Sequence, residues 1–119
     1  KHKYGKTSLY RVPAKAGKYI AELISSFETC SDLHCWITAA AISPDGKKVV
    51  LLNHQSVFLF TNFKGDDFFS GDVKEHSLGY VSQKESITFK DNNTLYIADE
   101  KAHGKGGKLY EFSLNKLKQ

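Results

Sequence analysis

Apolar residues along this chain fall in short runs broken by glycine, proline, aspartate and asparagine, and none of the runs holds a clear helical period. The plainest stretch is Ile37–Phe60, ITAAAISPDGKKVVLLNHQSVFLF. It predicts three strands, Ile37–Ser43, Lys48–Asn53 and Ser56–Thr61, with turns at Pro44-Asp45-Gly46 and His54-Gln55. Proline presets φ at the start of the first turn, aspartate can bond its own backbone, and glycine accepts φ > 0. The unit is a β-meander.

The same unit recurs. Leu9-Tyr10-Arg11-Val12, Val57-Phe58-Leu59-Phe60 and Leu109-Tyr110-Glu111-Phe112 are versions of one strand, with first residues 48 and 52 positions apart. Ile42-Ser43-Pro44-Asp45-Gly46 aligns with Phe89-Lys90-Asp91-Asn92-Asn93, Asp91 lying 46 positions after Asp45. Each of these turns precedes an apolar strand, Val49–Leu52 in one case and Leu95–Ala98 in the other. Four short strands in a period near fifty residues is the spacing of a β-propeller blade.

The predicted fold is therefore all-β, about two and a half four-stranded antiparallel blades in the portions 8–26, 36–78 and 82–114. Ser8–Val12 and Lys18–Ser26, joined by a turn at Pro13–Gly17, form the last two strands of a first blade, and Phe27–Cys35 connects to the next. Trp36–Ser43, Lys48–Asn53, Ser56–Thr61 and Val73–Leu78 complete a second blade, with the loop NFKGDDFFSGD (Asn62–Asp72) before its last strand. Ser82–Lys90, Thr94–Ala98 and Lys108–Leu114 open a third, and KAHGKGG (Lys101–Gly107) is a loop in its last hairpin. Weak alternation in the inner strands fits sheets covered on both faces. Propellers close with about four to eight blades, which removes exposed edges. A cut that begins and ends within blades predicts a portion of a larger ring, or a ring completed by another chain. Alone, such a chain is expected to associate or aggregate through Ser8–Val12, Lys108–Leu114 and the bare faces of the outer blades.

ITAAAISPDGKKVVLL resembles the SPDG blade motif shared by WD40-like, TolB-like and lactonase-type propellers. The longer run VFLFTNFKGDDFFSGDV…QKESITFKDNNTLYIADEKAHGKGGKLYEF is similar to uncharacterised secreted or lipoprotein propeller proteins of Bacteroidetes-type bacteria, over roughly residues 5–115. The resemblance implies a periplasmic, outer-membrane-associated or secreted protein with no assigned activity, and this chain is much shorter than a closed ring.

Composition narrows this reading only a little. The formal charge of +4 comes from 17 basic and 13 acidic residues, and the lysines are scattered through turns and termini, as on a solvated surface. A nucleic-acid partner is not expected, because such proteins gather basic residues on one face. No apolar run approaches the about 20 residues of a membrane span, and there is no signal-peptide pattern at the amino end. The chain starts at Lys1 and contains no methionine, which predicts either that something upstream has been removed or that this is a piece of a longer chain. Cys30 and Cys35 flank Ser31-Asp32-Leu33-His34 and leave three readings open: a short disulfide of an exported protein, a metal site with His34, or two free thiols.

Candidate chemistry is sparse. Glu85 opens an inner strand in QKESI, where it can reach a central channel or else pair with Lys84 or cap a backbone group. It resembles the glutamate that binds a divalent cation in gluconolactonase-like and strictosidine-synthase-like propellers, which would imply a cation such as calcium and a lactonase- or phosphoesterase-like activity. Asp99-Glu100, Asp66-Asp67 and Asp72 are further acidic groups, without EF-hand spacing. Phe68 and Phe69 either fold back over the blade or form a contact patch; with Tyr80 and Trp36 they are candidate stacking faces for a glycan or protein partner. His2, His34, His54, His76 and His103 lie in predicted turns, termini or outer strands, without a nucleophile motif. Gly104–Lys108, GKGGK, lacks the phosphate-loop pattern and reads as a hairpin loop. The expected role is that of a non-enzymatic interaction scaffold; the alternatives are the cation-dependent hydrolase and a carbohydrate- or surface-polymer-binding module.

Overall fold

The computed structural model describes residues 5–30, 33–101, 103–104 and 106–115. Their regular structure is strand, apart from short 3-10 turns. The strands are β1 (Lys6–Arg11), β2 (Glu22–Glu28), β3 (Ala39–Ile42), β4 (Val49–Leu52), β5 (Ser56–Thr61), β6 (Asp72–Ser77), β7 (Lys84–Asp91), β8 (Thr94–Asp99) and β9 (Leu109–Ser113). They form three antiparallel sheets in sequential order, β1-β2, β3-β4-β5-β6 and β7-β8-β9. No sheet closes on itself among the described residues.

The second sheet is the middle layer, and its sequence explains why. β4 is VVLL, buried at every position, and β5 is buried from Ser56 to Phe60. Both faces of these strands are therefore apolar and need cover. Val50, Leu52, Val57 and Leu59 pack against Ile87, Leu95, Ile97 and Leu114 of the third sheet and its end. On the opposite face, Val49, Leu51, Phe58 and Phe60 meet Phe27 of β2 together with Ile37, Phe63, Phe68 and Phe69. Phe27 stands edge-on to Phe58 and Phe60, at centroid distances of 5.5 and 5.0 Å, a favoured arrangement for aromatic pairs.

The backbones of the second and third sheets approach most closely at their first strands, β3 against β7, and less so at β4 against β7; the later strands approach far less. Hydrogen bonds tie the two sheets at both ends. At one end the Asp45 amide donates to Asn92 Oδ1 (3.0 Å), and Lys48 Nζ donates to Asn92 O (2.6 Å) and Asn93 Oδ1 (2.8 Å). These are the two turns that align in the repeat, now stacked as neighbours. At the other end Thr38 Oγ1 donates to Lys84 O at 2.6 Å.

Two strand boundaries differ from expectation by more than two residues. The turn after β1 runs from Val12 to Ala21, and β2 begins at Glu22 rather than Lys18. β1 ends at Arg11, which pairs with Glu22, so Tyr19 and Ile20 have no partner strand despite their strand-like composition. Similarly, β3 begins at Ala39 rather than Trp36, because its pairing starts with Ala39 opposite Leu52, the last residue of β4. The outer face of the third sheet is polar where Thr88 is exposed and Lys90 pairs with Glu111 at 2.8 Å, its ammonium 5.7 Å from the Tyr96 ring centre, and apolar at its end, where Leu109 is 71% exposed beside Ala98. The bare apolar surface expected on that side is confined to the Leu109 end.

Candidate functional site

The densest polar cluster in the described chain lies where the start of β7 meets the β4–β5 turn and the end of β8. It is created by a β-bulge. Lys84 pairs with Asp99 and Ser86 with Ala98, so two steps along β7 match one along β8, and Glu85 is the extra residue. The bulge puts Lys84 on the same face as Ile87 and turns Glu85 outward. Lys84 is 1% exposed. Its ammonium donates to His54 O (3.0 Å), Tyr80 O (3.1 Å) and Ser82 Oγ (2.8 Å), and lies 4.3 Å from the Tyr80 ring centre.

Asp99 is the anionic partner of this cluster. Its carboxylate accepts from Ser82 Oγ (2.9 Å), Tyr110 OH (2.8 Å) and the Lys108 amide (2.8 Å), and Tyr80 OH in turn bonds Tyr110 OH. Burial pushes the Asp99 carboxyl up, but the Lys108 amide, the two hydroxyls and Lys84 together hold it below the usual carboxylate range. Burial pulls the Lys84 ammonium below the usual lysine range, and Asp99 draws it partly back. The Tyr110 hydroxyl is raised, first by its bond to Tyr80, then by burial and Asp99. The three donors of Lys84 are matched by three acceptors. Such an ammonium is a clasp between sheets rather than a nucleophile.

Glu85 pairs with His54, Oε1 to Nε2 at 3.0 Å, and its side chain is 43% exposed. Its expected partner Lys84 is turned away by the bulge. Among the described residues no group of three or more His, Cys, Asp or Glu side chains is placed to hold a metal ion. A divalent cation at Glu85 would therefore need further ligands from outside the described residues. The other acidic groups scatter: Asp66 accepts from Arg11 (2.8 Å), Asp67 from Ser25 (2.7 Å) and Asp72 from Asn62 (2.8 Å). The first two of these bonds fasten the loop after β5 onto the first sheet. Glu100, next to buried Asp99, is exposed, as strand alternation requires.

Phe68 and Phe69 fold back. Phe69 lies 5.0 Å from Phe60 and 5.8 Å from Phe27, and Phe68 lies 5.1 Å from Phe63, all between ring centres. Trp36 and Tyr80 are half exposed, and Tyr80 is committed to Tyr110 and Lys84. Cys30 and Cys35 are joined as a disulfide with Cα atoms 5.3 Å apart, and Thr29 Oγ1 beside it donates to Cys35 O at 2.8 Å. The ring centres of His34 and His54 are 6.1 Å apart, His76 stacks on Phe112, and His103 sits in the loop before β9. His2 lies outside the described residues.

Lys84 is the residue that sequence reasoning missed. In QKESI, counting alternate positions back from Ile87 selects Glu85, and only the bulge selects Lys84. No described helix is long and apolar enough to cross a membrane. Compared with family models, curated proteins and solved structures, the chain matches none of them.

Proposed function

We propose that this chain is a portion of a β-propeller in an exported protein and serves as a non-enzymatic interaction scaffold. The observation that carries the reading is the wedge between the second and third sheets, closest at β3 and β7 and splayed toward the later strands. Blades arranged around an axis diverge in that way. The sequential strand order and the stacking of the two aligned turns, Asp45 on Asn92, support the same reading. The Cys30–Cys35 disulfide fits an oxidising compartment. The scaffold role is supported by the polar cluster, whose ionic groups are committed to one another. The polar outer face of the third sheet is the feature least like a blade interior, and in a ring it lies at a wet junction.

The test is the structure of the longest natural protein that contains this sequence, with its reading frame. Further sheets of this kind around a common axis, behind an export signal, are the expected result. Three sheets packed alone, with no axis, would overturn the reading.

A further inference from the structure

A cleft of about 410 Å³ lies between the first and second sheets, lined by Thr7 and Leu9 of β1, Ala40 and Ile42 of β3, and Val49 and Leu51 of β4. Its floor is one continuous face of the second sheet, because Ala40 pairs with Leu51 and Ile42 with Val49. That face is covered unevenly. Val49 and Leu51 are 6% and 7% exposed, whereas Ile42 is 53% exposed and Ala40 is also exposed. Cover by the first sheet stops at β1, which among the described residues pairs with β2 alone, so within them its cleft-side edge carries unpaired backbone groups.

We propose that the β1 edge and this cleft form a docking site for an apolar β-hairpin supplied by another polypeptide. One strand of the hairpin pairs antiparallel with β1, and its alternate side chains cover Ala40 and Ile42. The cleft is continuous with the packed interface of Phe27, Phe58 and Phe60, so the added strands extend an existing core. The form of the occupant follows from the repeat. LYRV of β1 matches VFLF of β5, and β5 is held on the corresponding edge by the antiparallel hairpin β3–β4. This choice of a hairpin rests on the blade reading; the free edge and the cleft do not. The floor is shallow at Ala40 and apolar throughout, which admits branched aliphatic side chains and excludes charged ones.

The probe is a synthetic peptide of residues 37–53, the chain's own β3–β4 hairpin, titrated into the full chain and followed by amide hydrogen exchange and calorimetry. Saturable binding with new protection at β1 is expected. Binding should weaken at least tenfold in Ile42→Lys and in Ala40→Lys, exposed positions whose substitution leaves the melting temperature unchanged. A peptide with alternate amides of one strand N-methylated should not bind. Absence of binding, equal binding to both variants, or closure of the cleft by concentration-dependent self-association of the chain would overturn the proposal. A longer protein without a propeller axis would end the blade reading while leaving this measurement standing.

Discussion

Replacing Lys84 tests whether the polar cluster holds the second and third sheets together. Lys84→Ala removes three buried methylenes, each about 0.8 kcal/mol. It also takes from the Tyr80 carbonyl its only donor among the described residues, a charge-assisted bond of about 1.5–3 kcal/mol. His54 O keeps the Ser82 amide at 3.2 Å, and Ser82 Oγ keeps Asp99, so neither is orphaned. Relief from burying the ammonium offsets part of the loss. The expected net destabilisation is about 3–4 kcal/mol for Lys84→Ala and about 1–2 kcal/mol for Lys84→Met, whose thioether chain fills most of the same apolar volume. Against a typical domain stability of about 5–15 kcal/mol, both differences are measurable by urea unfolding with far-ultraviolet circular dichroism. The order Ala below Met below native is the essential result. An alanine variant within about 0.5 kcal/mol of native, the range of surface substitutions, would refute the clasp.

Acid should weaken the fold. Asp45, held down by Ser43 and the Lys47 amide, Asp91, held down by the Asn93 amide, and Asp99 all lie below their ordinary value of 3.8 when folded. As pH falls through that value the unfolded chain takes up protons first, so stability present above it is lost below it; melting temperatures from pH 6 to 2.5 should fall steeply only under about pH 4, and a flat profile contradicts the assignment. Removing the short Cys30–Cys35 bridge in the double serine variant should cost about 2 kcal/mol, by loop-closure entropy for cysteines five positions apart, and an unchanged unfolding midpoint would show that the connection does not need it. Phe69→Ala should cost about 2 kcal/mol, roughly half the loss at a fully buried phenylalanine, with no change in glycan-array binding; the opposite pattern would make Phe69 a contact residue.

The strands were legible because their signals are local. VVLL and SVFLFT have strand composition between aspartate-, asparagine- and glycine-bearing turns, and β5 matches its expected bounds, Ser56–Thr61. The start of β2 was not, because Tyr19-Ile20 looks like strand and only the Arg11–Glu22 pairing shows where β1 runs out. The site failed for a sharper reason. A single inserted residue exchanges the faces of everything before it, and nothing in QKESI reveals whether β8 opposes Lys84 or Glu85. The fate of Phe68 and Phe69 likewise depends on Arg11 and Ser25, far off in sequence, which anchor their loop through Asp66 and Asp67.

The polar outer face of the third sheet gives the molecule a direction. A pile of sheets lengthens most readily where its last layer still offers greasy surface, and Thr88, Lys90 and Glu111 withhold it here except at Leu109. The cleft beside β1 is lined by aliphatic side chains, whereas a neighbour on the far side of β7 meets an ion pair before it meets carbon. The two ends of the stack therefore select their neighbours by different chemistry, one by shape and the other by charge.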